Sequence, residues 1–124
     1  MKLAILVMSD PARGGDEALG RVFNALALAA DGKRAGSEVA VVFAGAGTRW
    51  PGELTKLGHP VKALYDSVRD VVQGASCGCS DVFGARASVE ACGVPLLTDN
   101  KLDGTSGLAG IHALVARGFT PIVF

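Results

Sequence analysis

The stretch that decides the fold is the apolar run of residues 3–9, which reads LAILVMS. The run contains no charged residue and no regular alternation of polar and apolar side chains, and Asp10 and Pro11 end it. A short continuous apolar run that ends in turn residues is typical of a strand that is buried on both faces of a sheet. The sequence therefore predicts that the chain begins with a central strand. Because the run ends so early, we do not expect it to be a signal peptide.

A second buried strand is predicted at Val39–Phe43, after a segment with helical periodicity. Gly32, followed by Lys33 and Arg34, is expected to end that helix. A strand, a helix and a second strand of these lengths form a right-handed parallel crossover. The predicted buried stripe of the helix consists of Leu19, Val22, Phe23, Leu26 and Ala30.

The rest of the chain continues to alternate helices and strands. The third strand is the least regular, because Gln73 and Gly74 interrupt it, and the alternative is that the preceding helix continues through Val72. This order predicts one α/β domain over residues 1–124, with a parallel sheet and helices on both of its faces. The predicted strands are Val71–Ser76, Val94–Thr98 and Thr120–Phe124, and the predicted helices run from Pro60 to Val68, from Val82 to Ala91 and from Leu108 to Gly118.

Composition excludes several classes of partner. Lys and Arg number 12 and Asp and Glu number 12, so the formal net charge is zero, and no block of like charge occurs. This balance argues against nucleic acid and against an anionic membrane as the main partner. No apolar run approaches the length that a membrane span needs.

The three cysteines are the residues with intrinsic reactivity. Cys77 and Cys79 are separated by one residue, which is poor spacing for a disulfide framework, so we expect a reducing, cytoplasmic location. Both lie where the third strand ends and a helix begins. A thiolate at that place is stabilised by free backbone N–H groups. Ser80 or Asp81 is the expected cap, although the charge of Asp81 would oppose a thiolate close to it.

The cysteines, histidines and loops also have interpretations without chemistry. Free cysteine is often a small apolar core residue, and we expect this role for Cys92. Cys-x-Cys with His59 or His112 lacks the paired spacing of a zinc site, so no metal is predicted. We expect His59 to face solvent and His112 to lie on the inner side of the last helix. The loop Ser9–Gly15 lacks both glycine-rich phosphate-binding patterns, so no nucleotide, flavin or other cofactor is predicted.

Ligands of open parallel sheets gather at the carboxyl ends of the strands. Of the loops that meet there, only the one with the two cysteines carries intrinsically reactive side chains. The four loops are Ser9–Asp16, Ala44–Trp50, Cys77–Asp81 and Thr98–Ser106.

Over nearly its whole length the chain resembles the DsrE/DsrF-like proteins, which include the TusD-type sulfur-relay subunits. The resemblance lies in the order and spacing of several segments rather than in one tight motif. The matching segments are Leu3–Val7 with the Ser9-Asp10 turn, Asp31-Gly32, Val41–Phe43, the cysteines followed by Phe83-Gly84-Ala85, Gly93-Val94-Pro95, and Gly118–Phe124.

The resemblance implies a three-layer α/β/α sandwich around a five-stranded parallel sheet, assembled into trimers or hexamers. Trp50 and Phe119 are the predicted subunit contacts. In the sulfur-relay members a cysteine of this loop accepts sulfane sulfur as a persulfide from a donor protein and passes it to an acceptor protein. Counting back from Phe83-Gly84 assigns that role to Cys79, whereas counting from the strand end assigns it to Cys77.

The sequence therefore leads to two main hypotheses from different classes, and a flavodoxin-like cofactor binder is a third possibility. The first is a persulfide-carrying sulfur-relay protein, with Cys79 preferred and Cys77 as the second candidate. The second is a small-ligand or partner-binding module of the same fold, in which the cysteines only pack.

Overall fold

The computed structural model describes all 124 residues, and its five strands form one parallel sheet in the order β4-β3-β2-β1-β5. The strands are β1 (Lys2–Val7), β2 (Glu38–Phe43), β3 (Val72–Ser76), β4 (Leu96–Leu97) and β5 (Thr120–Val123). The helices are α1 (Gly15–Arg34), α2 (Trp50–Leu54), α3 (Lys62–Val68), α4 (Cys77–Val82), α5 (Arg86–Ala91) and α6 (Ile111–Ala116). Short 3₁₀ segments, Gly45–Arg49 and Arg69–Val71, precede α2 and β3.

The first strand lies inside the sheet, as its sequence predicts. β1 pairs with β2 on one side and with β5 on the other, both in parallel. All residues from Leu3 to Val7 are buried. Because successive side chains of a strand point to opposite faces, a strand with neighbours on both sides and cover on both faces needs an unbroken apolar run.

The two faces of the sheet have separate cores, which confirms the predicted layers of helices on both sides. Ile5 and Val41 belong to the larger core of 20 buried residues, together with Leu26 of α1, Tyr65 of α3 and Val89 of α5. On the opposite face, a second core of seven residues is formed by Ala4, Leu6, Ala40, Val42, Ala109, Leu114 and Phe119. The fold is thus a three-layer α/β/α sandwich in which α6 covers the second face.

Several local predictions are wrong. Gly32 does not end α1; it is buried inside the helix, where a Cβ would lie 2.9 Å from Val39 Cγ2, so glycine lets the helix pack closely on β2. Phe23 is 49% exposed and lies outside the buried stripe. The predicted strand Val94–Thr98 is reduced to Leu96–Leu97, because only β3 borders it and that strand is itself short.

The predicted helix Val82–Ala91 is also wrong. The chain becomes helical at Cys77, directly after β3, and a turn through Gly84 separates α4 from α5. The Ser80 N-cap is consequently wrong as well, since Ser80 lies inside α4 and donates its hydroxyl proton to the Ser76 carbonyl at 2.9 Å. His112 is exposed on α6 instead of facing inward, and His59 is half-buried beside Trp50, with ring centroids 6.3 Å apart.

Two positions of α1 test the division between buried and exposed faces. Leu26 is fully buried, so Leu26→Ala should lower the free energy of unfolding by about 2–5 kcal/mol through lost apolar burial and a residual cavity. Phe23→Ala on the same helix is the matched control and should cost less than about 1 kcal/mol, because half of that ring already contacts water. Urea unfolding followed by circular dichroism measures both, and equal losses would contradict the assigned faces.

Candidate functional site

The site forms where β3 ends and α4 begins. Ser76, the last residue of β3, uses its carbonyl oxygen to accept the proton of Ser80 and its Oγ to accept the backbone N–H of Ala109 at 3.0 Å. Ser76 is buried, and so is Cys77, the first residue of α4. These hydrogen bonds fix the first turn of α4 against the segment that follows β4.

The end of β3 is also a switch point of the topology. After β3 the chain enters α4 and α5, and Val89 of α5 packs in the larger core. After the neighbouring β4 it crosses to α6, whose Leu114 packs in the core of the opposite face. Neighbouring strands whose connections leave toward opposite faces open a crevice at their carboxyl ends, which is where ligands of such sheets bind.

The Cys77 thiol lies in this crevice with two polar side chains in hydrogen-bond range. Its Sγ lies 2.9 Å from Nη2 of Arg86 and 3.2 Å from Oγ of Ser106. Cys77 is only 1% exposed. A buried sulfur with a guanidinium and a hydroxyl in hydrogen-bond range is in an environment that can stabilise negative charge on sulfur.

Asp81 closes these contacts into a ring. Its Oδ2 accepts the Ser106 hydroxyl at 2.6 Å, and its Oδ1 lies 3.2 Å from Nε of Arg86. The pKa of Arg86 is raised above its ordinary value, first by the hydrogen bond to Cys77 and next by the charge of Asp81. Cys77, Arg86, Asp81 and Ser106 are called the thiol ring below.

A segment that we call the strap, residues 100–109, covers the thiol ring. Asn100 and Leu108 exchange backbone hydrogen bonds of 2.8 and 2.9 Å, and the Gly107 carbonyl accepts the N–H of Gly78 at 2.7 Å. Residues 101–106 form an exposed tip. Ser106 is the tip residue whose side chain bonds to α4, through Asp81 and Cys77. The strap is therefore anchored at its base and tied at its tip by one hydroxyl.

A cavity of about 280 Å³ opens beside the thiol ring. Asp81 and Ser106 of the ring face it, and Val82, which is 76% exposed, forms part of its rim. The remaining lining residues are Gly78, Gly104 and Thr105.

Cys79 lies in a different environment from Cys77. It is half-buried, and no hydrogen-bond partner of its thiol is present. Cys77 and Cys79 are two residues apart on α4, and side chains with that spacing on a helix do not face each other. A disulfide between them would therefore require α4 to unwind. All three cysteines are free.

Cys92, at the end of α5, packs against the larger core, and its thiol donates to the Val89 carbonyl at 3.4 Å. This arrangement agrees with the packing role that the sequence predicts. No group of three or more His, Cys, Asp and Glu residues is arranged to hold a metal ion.

The four predicted loops meet at the carboxyl edge of the sheet. Arg49, in the loop Ala44–Trp50, links two of them and the end of α4: Nη1 contacts both carboxylate oxygens of Asp10 at 3.0 Å, and Nε donates to the carbonyl of Phe83, the residue that follows α4, at 3.0 Å. Trp50 Nε1 donates to Ser9 Oγ at 3.1 Å. The Arg49 contacts hold the end of α4 against the segment that precedes α2.

Sequence reasoning missed two members of the thiol ring. Arg86 is nine residues beyond Cys77 and follows a turn that the sequence does not reveal, so no periodic signal connects the two. Ser106 lies in a predicted ligand-facing loop, Thr98–Ser106, but nothing in its neighbours distinguishes it from the adjacent Thr105. The predicted subunit contacts Trp50 and Phe119 are wrong, because these side chains are 3% and 4% exposed and pack within the chain.

No protein-family model matches the chain, and neither a curated protein nor a solved structure matches it. The helices are each too short or too polar to cross a membrane.

The strap closes only with glycine at residue 107. Gly107 has φ +97°, and a Cβ there would lie 2.6 Å from the Thr98 carbonyl oxygen. Gly107→Ala should therefore loosen the strap, speed alkylation of Cys77 by iodoacetamide, and lower stability by about 1–3 kcal/mol. Gly104→Ala is the matched control, since Gly104 has φ +83° but no atom within 4 Å of the added Cβ. Mass mapping that finds equal Cys77 alkylation in both variants would contradict the covering role of the strap.

The Asp10–Arg49 pair should make stability depend on pH. Burial alone would raise the pKa of Asp10, but hydrogen bonds from Ala12 and Arg49 and the positive charge of Arg49 outweigh it, so the pKa lies below its ordinary value. The stabilising contribution is complete above the unfolded-state pKa and is lost as pH falls through the folded-state value. Asp10→Asn should thus lose less stability than wild type as the pH falls below 3.8, the ordinary carboxyl pKa. Urea titrations measure this loss, with Asp103→Asn on the exposed strap tip as control, and parallel curves would refute it.

Proposed function

We propose that the protein is a sulfur carrier that holds sulfane sulfur as a cysteine persulfide on α4 and passes it to a partner protein. The observation that carries the proposal is the position of Arg86 Nη2 and Ser106 Oγ at 2.9 and 3.2 Å from Cys77 Sγ. Neutral core packing of a cysteine requires neither group. The sequence resemblance to DsrE/DsrF-like proteins supports the same function.

The chemistry needs only a nucleophilic thiolate and room for one more sulfur atom. The thiolate attacks the terminal sulfur of a donor persulfide; the donor S–S bond breaks, a new S–S bond forms on the carrier, and the donor leaves as a thiolate. The total oxidation state of sulfur does not change. Transfer to the acceptor is the same exchange in the opposite direction, so the protein needs no cofactor for either step.

The two thiols suit different parts of this chemistry. Cys77 has the hydrogen-bond donors that stabilise a thiolate or a persulfide anion, whereas Cys79 has the greater exposure. We propose Cys77 as the sulfur-bearing residue, because stabilisation of the anion is what separates a carrier thiol from an ordinary one. The sequence preference for Cys79 stays a prediction, and the experiment below distinguishes the two.

Access to Cys77 depends on the tip of the strap. Cys77 is 1% exposed, and Ser106 lies directly on its sulfur. The tip, residues 101–106, is itself exposed and can lift when the contacts of Ser106 break. The donor would then approach past Gly78 and Val82, where the cavity beside the ring opens.

The proposed partners are a sulfur donor protein and a sulfur acceptor protein in the cytoplasm, with the carrier assembled as a homotrimer or homohexamer. Exposed apolar side chains away from the cavity support an assembly, since Leu57 and Val123 are 94% and 63% exposed. Light scattering of the purified chain tests the assembly, and a monomer would refute that part of the proposal.

Sulfur loading provides the direct test of function. Purified protein is incubated with a cysteine desulfurase and cysteine, and peptides are mapped by mass. Wild type and Cys79→Ser should each gain one sulfur atom at Cys77, whereas Cys77→Ser should lose at least about nine-tenths of the gain. Cys92→Ser is the matched control and should load normally, because Cys92 packs against the core.

Three results decide between the hypotheses. A gain at Cys79 that survives Cys77→Ser would assign the carrier role to Cys79. Absence of any gain at both thiols would refute the sulfur-carrier function. The rival function is a binding module with structural cysteines, and the burial of Cys77 favours it. If the protein is such a module, the double variant Cys77→Ser, Cys79→Ser would leave partner binding unchanged.

A further inference from the structure

Asp81 and Cys77 share the same two hydrogen-bond donors. Arg86 directs Nε toward Asp81 at 3.2 Å and Nη2 toward Cys77 at 2.9 Å. Ser106 Oγ lies 2.6 Å from Asp81 and 3.2 Å from Cys77. An anion at Cys77 would therefore compete with an anion that is already present at Asp81.

The number of protons in the thiol ring matches a neutral Cys77 thiol. The Ser106 hydroxyl has one proton, and its short contact with the carboxylate directs that proton to Asp81. When Cys77 is a neutral thiol, its S–H donates to Ser106 Oγ, Ser106 donates to Asp81, and Arg86 donates to both Asp81 and the sulfur. Every proton that points into the ring then has an acceptor.

Ionisation of Cys77 breaks this arrangement. The thiolate has no proton to donate, so Ser106 must turn away from Asp81 or present an oxygen lone pair to a negative sulfur. Arg86 must also serve two anions with one positive charge. A like charge close by disfavours the ionised form of a group. The carboxylate that orients Arg86 is thus the same group that opposes the thiolate.

We propose that Asp81 is a restraining residue, which keeps Cys77 as the neutral thiol by holding the two donors, Arg86 and Ser106, that the thiolate requires. The inference deepens the sulfur-carrier function and rests on Cys77 as its thiol. It implies that the carrier is unreactive at rest and becomes nucleophilic when Asp81 releases Ser106 and Arg86.

The other charged groups near Cys77 do not supply the same effect. On α5, Glu90 lies 3.8 Å from Arg86 Nε and contacts neither the sulfur nor Ser106. On the segment before α2, Arg49 is bonded to Asp10 and to the Phe83 carbonyl. On the strap, Lys101 and Asp103 form no ion pair and lie on the exposed tip. Asp81 is the carboxylate that shares both donors with the thiol.

The test measures the pH dependence of Cys77 alkylation by iodoacetamide in a Cys79→Ser, Cys92→Ser background, where Cys77 is the remaining thiol. Asp81→Asn should lower the midpoint of the pH profile by about one unit, because a nearby negative charge is removed and a neutral amide oxygen holds the two donors less strongly than a carboxylate does. At pH 7 the rate should rise about threefold, since the lower nucleophilicity of a more acidic thiol offsets part of the tenfold gain in thiolate.

Glu90→Gln is the matched control, since it removes a carboxylate beside Arg86 without freeing Ser106, and it should move the midpoint by less than half as much. Ser106→Ala removes the shared hydroxyl while Asp81 keeps its charge, and it should not lower the midpoint. A mere opening of the strap would raise the plateau rate at high pH and leave the midpoint in place. Circular dichroism confirms that each variant is folded.

An unchanged or raised midpoint in Asp81→Asn would overturn the proposal, because it would mean that Asp81 serves only to orient Arg86 toward the thiolate. Alkylation needs no sulfur donor, so this result is independent of the sulfur-loading experiment. A lowered midpoint without sulfur loading would refute the carrier function alone. Sulfur loading with an unchanged midpoint would refute the restraint alone.

Discussion

Burial of β1 and β2 on both faces is the constraint on which the rest of the structure depends. A strand that has neighbours on both edges and helices on both faces favours apolar side chains throughout, because each buried polar group needs a hydrogen-bond partner, and the segments Leu3–Val7 and Val39–Phe43 are entirely apolar. Parallel pairing of these strands brings every strand's carboxyl end to the same edge of the sheet. For this reason the loop with Arg49, the start of α4 with Cys77, and the strap all lie at that edge.

The position of the thiol ring follows from the one reversal in the topology. The chain adds β2, β3 and β4 successively in one direction and then returns to place β5 on the far side of β1. The return carries it from β4 across the second face through α6, and the strap is the first part of that return. The strap therefore crosses the carboxyl end of β3, where it presents Ser106 to Cys77. The return of the chain from β4 to β5 therefore produces both the crevice and the strap that covers it.

The ring joins residues from three separate segments: Cys77 and Asp81 on α4, Arg86 on α5, and Ser106 on the strap. The turn through Gly84 makes this possible, because it folds α5 back so that Arg86 can reach Cys77. If α4 and α5 were one continuous helix, residues 77 and 86 would lie about 13.5 Å apart along its axis, at 1.5 Å per residue. The break in the helix is thus a condition for the ring, and it explains why Arg86 escaped prediction.

The sequence by itself determined the layers of the fold, because continuous apolar runs and three-and-four spacing are local signals of buried strands and of helix faces. The sequence also predicted that the two candidate thiols lie at the end of β3. It further indicated that the charge of Asp81 would oppose a thiolate if Asp81 lay close to the sulfur. Only the tertiary structure decided that Asp81 does lie close, that Ser106 and Arg86 reach the same sulfur, and that Phe23 and His112 face outward. Those outcomes depend on which distant segments meet in space, and single-residue patterns contain no information about that.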